Sequence, residues 1–337
     1  MKKTIVVIAA LAATLAWALA CRGGYLAGDG KLIKRTRFMM DTLCTIQARN
    51  EQGRFKTEAA INRAFDRMAE IDRKFNCTNP ESPIYKFNHD RTPITDPEIY
   101  GLVKKSVGIS RETGGAFDIT AYPLVDLWGF FTTSASSQTV PSPAAIKLAM
   151  SKVGWRRILL SGAAVTPADP GVMLDLGGIA KGYSIAEAER ILKTDGIKSA
   201  LILAGGQVQV FGSAGEGDPW KVGVRNPRKE GYMAGLVFTE ETGISTSGDY
   251  ERFFEVNGVR YHHILDTKTG YPAKGLMSVS VITPDPVRAD ALSTALFVLG
   301  EKRALDFVRA HPDLDAIIVN DKGAVSNSRE NPADAKL

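Results

Sequence analysis

The chain has 337 residues, of which 42 are Lys or Arg and 37 are Asp or Glu, and its formal net charge is +5. This length suffices for one large domain or two closely fused domains with a buried core. It contains no basic run and no interleaving of basic and aromatic residues, so we expect no nucleic-acid partner. Its three cysteines and four histidines show no zinc-site spacing, which argues against a zinc centre.

Residues 1–20 have the composition of a secretory signal peptide. Two lysines near the start precede an apolar run that ends in Ala18-Leu19-Ala20, directly before Cys21. The run is too short for a lasting transmembrane span. Cys21 is placed as in a bacterial lipobox, although Ala18 stands where leucine is usual. We therefore expect an exported protein on the periplasmic face of a bacterial membrane, lipid-anchored at Cys21. A soluble periplasmic protein is the alternative.

The segment that follows, residues 23–37, is Gly-rich and then basic, which is typical of a tether. We place the lipidated tether at 21–32 and the folded domain at 33–325. The polar composition of residues 326–337 predicts a disordered tail.

Hydrophobic periodicity and turn residues predict the secondary structure of the domain. In chain order, the predicted elements are a strand over 38–48, a helix over 57–75, a helix from Asp96 to Thr113, a helix from Pro143 to Val153, a hairpin within 156–176 formed by the runs RRILLSG and GVMLDL, a helix over 179–195, many strands between 199 and 283, helices over 287–299 and beyond, and a last strand at 315–320. Strands cluster in the second half without regular βαβ alternation, so the predicted fold class is α+β.

Residues 174–183 read LDLGGIAKGY. Two glycines let the backbone approach a ligand, and the helix that follows would point free N–H groups at it. Lys181 would lie in the first helical turn, where the helix dipole disfavours a cation, and this suggests a negatively charged ligand. The spacing is not that of a P-loop. A tight strand–helix turn with an exposed lysine is the alternative.

Asp290 and Thr294 are four residues apart in RADALSTALFVLG and would share one helix face. A carboxylate and a hydroxyl are oxygen ligands suited to Mg²⁺, although a carbonyl, waters and substrate phosphates would have to complete its shell. Alternatively, Asp290 stabilises the helix dipole and Thr294 only packs.

His262 and His263 end the second strand of a predicted hairpin around Asn257-Gly258. Successive strand residues face opposite ways, so at most one of the two points into a site. That histidine is a candidate general base, with a structural role as the alternative. In GGAFDIT, the acid Asp118 could contact a ring system or ribose.

Taken together, these segments resemble one family. In order and spacing, MMDT, FDIT-x-x-PLVDLWGF, LDLGGIAKGY, ISTSGDYERFFEVNGVRYHHILDTKTGYP and ADALSTALFVLG are similar to the ApbE family of FAD:protein FMN transferases, over residues 33–325. The resemblance implies a two-lobed, T-fold-like α+β fold with FAD and Mg²⁺ in the cleft between the lobes.

The same resemblance implies an activity. FMN would pass from FAD to a threonine or serine hydroxyl of a target flavoprotein, such as an Rnf- or Nqr-type electron-transfer subunit, and AMP would leave. Some members of the family instead hydrolyse FAD to FMN and AMP.

The family's site residues can be carried over where the motifs match. The resemblance implies His263 as the base, Mg²⁺ ligands in the Gly178 carbonyl and the side chains of Asp290 and Thr294, and FAD contacts at Met40, Ala116, Phe117, Asp118, Asp175, Lys181 and Ile264.

Thr78 departs from the family pattern, since an aromatic residue usually stands at this FAD-contacting position. Its presence leaves a periplasmic FAD pyrophosphatase open as an alternative to the transferase. A non-catalytic flavin-binding lipoprotein is the second alternative. The spacing does not decide whether Cys44 and Cys77 pair.

Overall fold

The computed structural model describes residues 32–49, 53–131, 139–215, 217–238 and 240–328. The predicted signal peptide, Cys21 and the tether through residue 31 lie outside these residues, as do residues 329–337 of the predicted tail. None of the helices within the described ranges is both long and apolar enough to cross a membrane.

Sixteen strands are present in the described residues. They are β1 (Leu32–Met39), β2 (Thr42–Arg49), β3 (Ile158–Ser161), β4 (Ala164–Pro167), β5 (Ala200–Ala204), β6 (Gln207–Phe211), β7 (Trp220–Arg225), β8 (Tyr232–Phe238), β9 (Thr242–Gly248), β10 (Phe253–Val256), β11 (Val259–His262), β12 (Leu265–Asp266), β13 (Tyr271–Pro272), β14 (Leu276–Thr283), β15 (Asp315–Asn320) and β16 (Val325–Asn327). Eight of them form one sheet in the order β1-β2-β5-β6-β9-β14-β15-β16, and the others pair as β3-β4, β7-β8, β10-β11 and β12-β13.

Eight α-helices accompany the strands in the same part of the chain. They are α1 (Arg54–Phe75), α2 (Pro83–Asp90), α3 (Pro97–Glu112), α4 (Tyr122–Leu127), α5 (Pro143–Met150), α6 (Ala180–Thr194), α7 (Pro286–Leu299) and α8 (Glu301–Arg309). Every pairing in the large sheet is antiparallel, so the predicted α+β class is confirmed.

The large sheet is covered on both faces. Helices α1, α6 and α7 pack on one face, and the β7–β8 ribbon contributes Trp220 and Val222 to an apolar cluster on the other. Apolar and polar residues alternate along β6 because its side chains point to the two faces of the sheet in turn. Val208 and Val210 pack in the apolar cluster on the β7–β8 side, while the Gln207 amide donates to the Pro286 carbonyl at 2.6 Å on the helix side. The helix side therefore contains buried polar groups close to α7.

The predicted helices α1, α3, α5, α6 and α7 are confirmed. The apolar stripe of α1 is buried, including Ile61, Phe65 and Met68. Helix α3 begins where Asp96 accepts hydrogen bonds from the N–H groups of Glu98 and Ile99, both at 3.0 Å. The short helix α2 was not predicted, although Ser82 and Pro83 form a regular N-terminal cap for it.

Two strand predictions are wrong in part. The strand predicted over 38–48 is two strands, because the chain reverses at Met40 and Asp41. Strand β1 begins at Leu32, the last residue of the predicted tether, and includes residues 33–37, for which no strand was predicted. The run GVMLDL forms no strand, and β3 pairs with β4 instead. In GVMLDL, the Leu174 N–H donates to the side chain of buried Asn88 at 2.7 Å, and the Leu174 carbonyl accepts from it at 2.8 Å. Leu174 makes these hydrogen bonds instead of pairing with a neighbouring strand.

The prediction of a disordered tail from residue 326 is wrong for its first residues. Val325, Ser326 and Asn327 pair with β15 as an edge strand. Because β15 is a buried, apolar strand, three residues of modest propensity suffice to extend the sheet.

Helices α6 and α7 are in tight contact at Gly182. A β-carbon at this position would lie 2.3 Å from the Pro286 carbonyl oxygen and 2.8 Å from Cβ of Asp290. The obstacle is backbone, so it cannot be relieved by a side-chain rotation. Glycine is therefore required here by packing.

We expect Gly182→Ala to lower the free energy of unfolding by about 1–3 kcal/mol, the usual effect of overpacking. Gly101→Ala is the control, because it lies in α3 with open space around its Cα. Removing a helical glycine there should raise stability by up to about 1 kcal/mol. Urea unfolding measures both, and equal effects of the two substitutions would contradict the packing argument.

Candidate functional site

Asp175 lies in the loop that leads into α6. Its backbone N–H donates to the Ile119 carbonyl at 2.8 Å, and its Oδ1 accepts from the Gly177 N–H, also at 2.8 Å. The thiol of Cys77 lies 3.9 Å from the same oxygen. Burial raises the pKa of Asp175, against the opposing effects of the Gly177 N–H and the Arg252 and Lys181 charges. The loop is thus held in place around one carboxyl group.

Asp290 is the buried acid of α7, a helix that is apolar on nearly all sides. Its Oδ2 accepts a hydrogen bond of 2.8 Å from the Gly182 N–H of α6. Its Oδ1 lies 4.0 Å from Lys181 Nζ, beyond hydrogen-bonding distance. One oxygen of this carboxylate is therefore fixed by protein, and the other remains able to bind a cation.

This contact changes the hydrogen bonding at the start of α6. In a regular helix the Gly182 N–H would donate to the Gly178 carbonyl, four residues earlier. Here it donates to Asp290, and no hydrogen bond among the described residues ends on the Gly178 carbonyl oxygen. Gly178 itself lies against Phe117 and Thr294, since a β-carbon on it would be 3.2 Å from the ring and 3.8 Å from the hydroxyl.

Lys181 lies in the first turn of α6, as predicted. Its Nζ donates to the Gly177 carbonyl at 3.1 Å and faces Asp290. The neighbouring acid therefore offsets its unfavourable place near the positive end of the helix dipole. A third of the side chain remains exposed, so a phosphate could still reach it.

A cluster of hydroxyl groups lies next to Thr294. Thr294 Oγ1 lies 3.3 Å from Ser247 Oγ, and Ser247 Oγ lies 2.9 Å from Ser293 Oγ. Ser245 lies 3.4 Å from Ser293. Sequence reasoning did not single out these serines. The signal was present, because Ser245 and Ser247 alternate on a strand and therefore share one face.

These groups fit a hard cation. The described residues contain no group of three or more His, Cys, Asp or Glu side chains that could hold a metal. A cation here would rely on the Asp290 carboxylate, the Thr294 hydroxyl and the Gly178 carbonyl. All three donors are oxygens, which suits Mg²⁺ when waters and substrate phosphates complete the shell.

His262 is a structural residue. Its Nε2–H donates to the Ala273 carbonyl at 2.9 Å, and its Nδ1 accepts from the Ile264 N–H at 3.3 Å. The ring is buried against Phe297, and burial lowers its pKa. Ile264 is itself buried, and its carbonyl accepts from Ala273.

His263 faces the other way, and only one of its ring nitrogens has a hydrogen-bond partner within the described ranges. Its Nδ1 lies 3.3 Å from the Arg252 carbonyl, which also accepts the His263 backbone N–H at 3.0 Å. A carbonyl can only accept, so Nδ1 carries the proton, and no hydrogen bond among the described residues uses the lone pair of Nε2. Burial, followed by the charges of Arg252, His262 and Lys181, lowers the pKa of His263 to about 3.

Met40 lies in the two-residue turn between β1 and β2. Both Met40 and Asp41 adopt positive φ, at 52° and 56°, which is unusual for these residues. The Met40 N–H donates to Asp72 at 2.9 Å, and the Ser184 hydroxyl of α6 lies 3.4 Å from its sulfur. Asp41 accepts from Arg252 at 3.0 Å, so the turn is linked to the segment that holds His263.

The remaining predicted contacts lie in the segments beside this centre. Asp118 already accepts from the Thr120 N–H and hydroxyl and from the Trp155 N–H, and burial raises its pKa. Ala116 is buried next to Phe117. Thr78 is exposed, and its hydroxyl donates to Asn76 at 2.7 Å.

The structure therefore brings together the Lys181, Asp290, Gly178 and Thr294 group, with Phe117 and Asp175 against it. Asp118 follows Phe117, whose ring lies against Gly178, and Thr78 follows Cys77, whose thiol lies 3.9 Å from Asp175. Among the described residues, neither Asp118 nor Thr78 has a hydrogen bond or ion pair with that group. Cys44 and Cys77 are separate buried thiols, and burial raises the pKa of both.

Comparison with known proteins identifies the family. The family model described as the ApbE family matches residues 40–318. An FAD:protein FMN transferase of Treponema pallidum is 31% identical over 305 residues, covering 85% of this chain and 83% of the relative. The protein of that name from Escherichia coli K12 is 34% identical over 248 residues, covering 71% of this chain and 70% of the relative.

Two solved structures of ApbE proteins are also similar to this chain. The ApbE protein of Thermotoga maritima superposes with a TM-score of 0.82 at 35% identity, covering 88% of this chain and 97% of that one. The flavinyl transferase ApbE of Pseudomonas stutzeri, in its apo form, gives 0.79 at 28% identity, covering 91% and 98%. With a family model that spans most of its length and relatives that it covers over two thirds or more, this chain belongs to the ApbE family.

Proposed function

We propose that this protein transfers FMN from FAD to a hydroxyl group of a target protein and releases AMP. The relatives named FAD:protein FMN transferase support the activity. The structural observation that supports the same activity for this chain is the Gly178 carbonyl near Asp290, Thr294 and Lys181, which accepts no hydrogen bond from the described residues. This is a centre of oxygen donors and one cation, suited to a pyrophosphate with its Mg²⁺.

The chemistry requires neutralisation of the pyrophosphate before a nucleophile can approach. Bound Mg²⁺ would supply most of this charge, held by Asp290, Thr294 and the Gly178 carbonyl. Lys181 can reach the same phosphates, because its ammonium is only loosely placed opposite Asp290. The acidic loop at Asp175 and the ring of Phe117 border the space in which FAD would lie.

The acceptor hydroxyl is a weak nucleophile until its proton is removed. We propose threonine or serine as the acceptor and His263 as the base that takes this proton on Nε2. The acceptor oxygen then bonds to the phosphorus of the FMN half, the bond from that phosphorus to the bridging oxygen breaks, and AMP leaves. The proton passes from His263 to solvent.

A target flavoprotein of the Rnf or Nqr electron-transfer type remains our proposal for the partner. Export and a lipid anchor at Cys21 would place the enzyme on the periplasmic face of the membrane, beside such a target. The N-terminal sequence pattern supports this location.

Hydrolysis of FAD is the second candidate reaction. Thr78 favours it, because this small side chain is exposed and already bonded to Asn76, and cannot cover a flavin as an aromatic ring would. Water would then have easier access to the phosphorus.

One assay separates these reactions. We expect incubation with FAD, Mg²⁺ and an acceptor domain to leave flavin fluorescence on the denatured acceptor band, and EDTA to abolish it. AMP release without a labelled band would favour the pyrophosphatase. Unchanged FAD after long incubation would contradict both reactions and indicate a flavin-binding protein.

The third prediction concerns His263. We expect His263→Ala to lower transfer by about 10²–10⁴-fold, the usual contribution of a general base, while FAD binding changes little. His89→Ala is the control, because His89 is an exposed histidine of α2. Parallel loss of FAD binding and transfer would indicate a structural role instead.

The protonation of His263 can be followed directly. Its folded pKa is depressed below the ordinary value of about 6.5, so the unfolded chain binds more protons between these two values. The contribution of His263 to stability is therefore complete above about pH 6.5 and is lost as the pH falls towards the folded value. In NMR titration of the free protein its ring should remain neutral at pH 5, whereas a midpoint near 6.5 would contradict this environment.

Anchoring at Cys21 is tested by cell fractionation. We expect the wild-type protein in the membrane fraction and the Cys21→Ser variant in the soluble periplasmic fraction. Equal membrane association of the two would exclude the lipid anchor at this residue.

A further inference from the structure

A line of hydroxyl groups leads from Thr294 to a backbone carbonyl. Thr294 Oγ1 lies 3.3 Å from Ser247 Oγ, which lies 2.9 Å from Ser293 Oγ, and the Ser293 hydroxyl reaches the Asp290 carbonyl oxygen at 2.9 Å. Strand β9 supplies Ser247, and α7 supplies the other three groups. The line therefore joins the sheet to the helix that carries the proposed cation ligands.

The Asp290 carbonyl at the end of the line determines which group donates in each of its hydrogen bonds. A carbonyl oxygen can only accept, so Ser293 must donate its single proton to Asp290. The Ser293 oxygen can then only accept, and Ser247 is placed to donate to it. With its proton committed, Ser247 in turn can only accept from Thr294.

These directions fix the orientation of the Thr294 hydroxyl. Its proton points at Ser247, so its lone pairs point elsewhere, and Gly178 is also next to this hydroxyl, because a β-carbon on Gly178 would lie 3.8 Å from Thr294 Oγ1. A hydroxyl binds a cation through a lone pair, and its proton must then have another acceptor. The line of serines provides that acceptor in advance.

We propose that Ser247 and Ser293 are positioning residues that hold the Thr294 hydroxyl in the orientation needed to bind a divalent cation. This inference rests on the cation site of the proposed function. It assigns the serines no contact with the cation. They act by fixing the rotation of one hydroxyl group, which lowers the reorganisation required when the cation binds.

The line also has a built-in control. Ser245 lies on the same face of β9, two residues before Ser247, and approaches Ser293 only at 3.4 Å. It is not between Thr294 and the Asp290 carbonyl. Loss of its hydroxyl should leave the direction of the line unchanged.

The test measures binding of Mn²⁺, as a paramagnetic substitute for Mg²⁺, by the EPR signal of the free ion in the presence of AMP. We expect Ser247→Ala to raise the Mn²⁺ dissociation constant about 10-fold, as is usual when a partner of a metal ligand is removed. Ser247→Thr keeps the hydroxyl and should have the wild-type Mn²⁺ dissociation constant. Ser245→Ala should stay within about twofold of wild type.

Ser293→Ala distinguishes orientation from direct ligation. Without Ser293, the Ser247 proton can turn towards Thr294 and compete for its lone pair, so the Mn²⁺ dissociation constant should rise here too. A normal constant for Ser293→Ala with a raised one for Ser247→Ala would overturn the proposal and make Ser247 a ligand. Normal constants for both would overturn it outright.

The Asp290→Asn variant tests the cation site of the proposed function separately from the role of the two serines. It removes the one carboxylate of the site and should abolish Mn²⁺ binding. If wild type and Asp290→Asn bind Mn²⁺ alike, the cation site itself is wrong, and the proposal falls with it. Circular dichroism of each serine variant, together with AMP binding without metal, checks that the fold is retained.

Discussion

The hydrogen bond from the Gly182 N–H to the Asp290 carboxylate is the contact on which the candidate site depends. It joins α6 to α7 at a tight contact, where any side chain larger than hydrogen would meet the Pro286 carbonyl. It fixes one oxygen of a buried acid and directs the other towards Lys181. It also withdraws the N–H that would otherwise occupy the Gly178 carbonyl.

A single contact thus sets the positions of two proposed ligands of a cation. The carbonyl belongs to the glycine turn before α6, and the carboxylate belongs to the middle of α7. Close packing of the two helices allows groups more than a hundred residues apart in sequence to approach one ion. The rigidity of the pair matters, because a site with only one carboxylate depends on accurate placement of its neutral oxygens.

Much of the fold followed from sequence because local signals were strong. The stripe of α1, the Asp96 cap of α3 and the Asn257-Gly258 hairpin rest on contacts within a few residues. The predictions that were wrong concern residues whose hydrogen-bond partners lie far away in the sequence. Nothing near GVMLDL shows that the buried Asn88 side chain would satisfy Leu174, and nothing near Val325 shows that β15 offers it an open edge.

The same division holds for the site. Spacing on one helix placed Asp290 and Thr294 on a common face, and alternation allowed only one of the two adjacent histidines to point into a site. The ion pair between Lys181 and Asp290 could not be derived that way, since it depends on how α6 crosses α7. The serines of β9 were overlooked because a hydroxyl on a strand acquires a role only through the helix packed against it.

The electrostatics of the free site also bear on the order of the proposed reaction. Burial and the positive charges of Arg252 and Lys181 hold His263 neutral but make it a weak base. A bound pyrophosphate would bring negative charge close to Lys181, one of these two cations, and offset it. The pKa of His263 should then rise, so the base would gain strength only when FAD is present. Deprotonation of an acceptor would thereby be coupled to occupancy by the flavin donor, and the free enzyme would have little tendency to activate a hydroxyl with nothing to transfer.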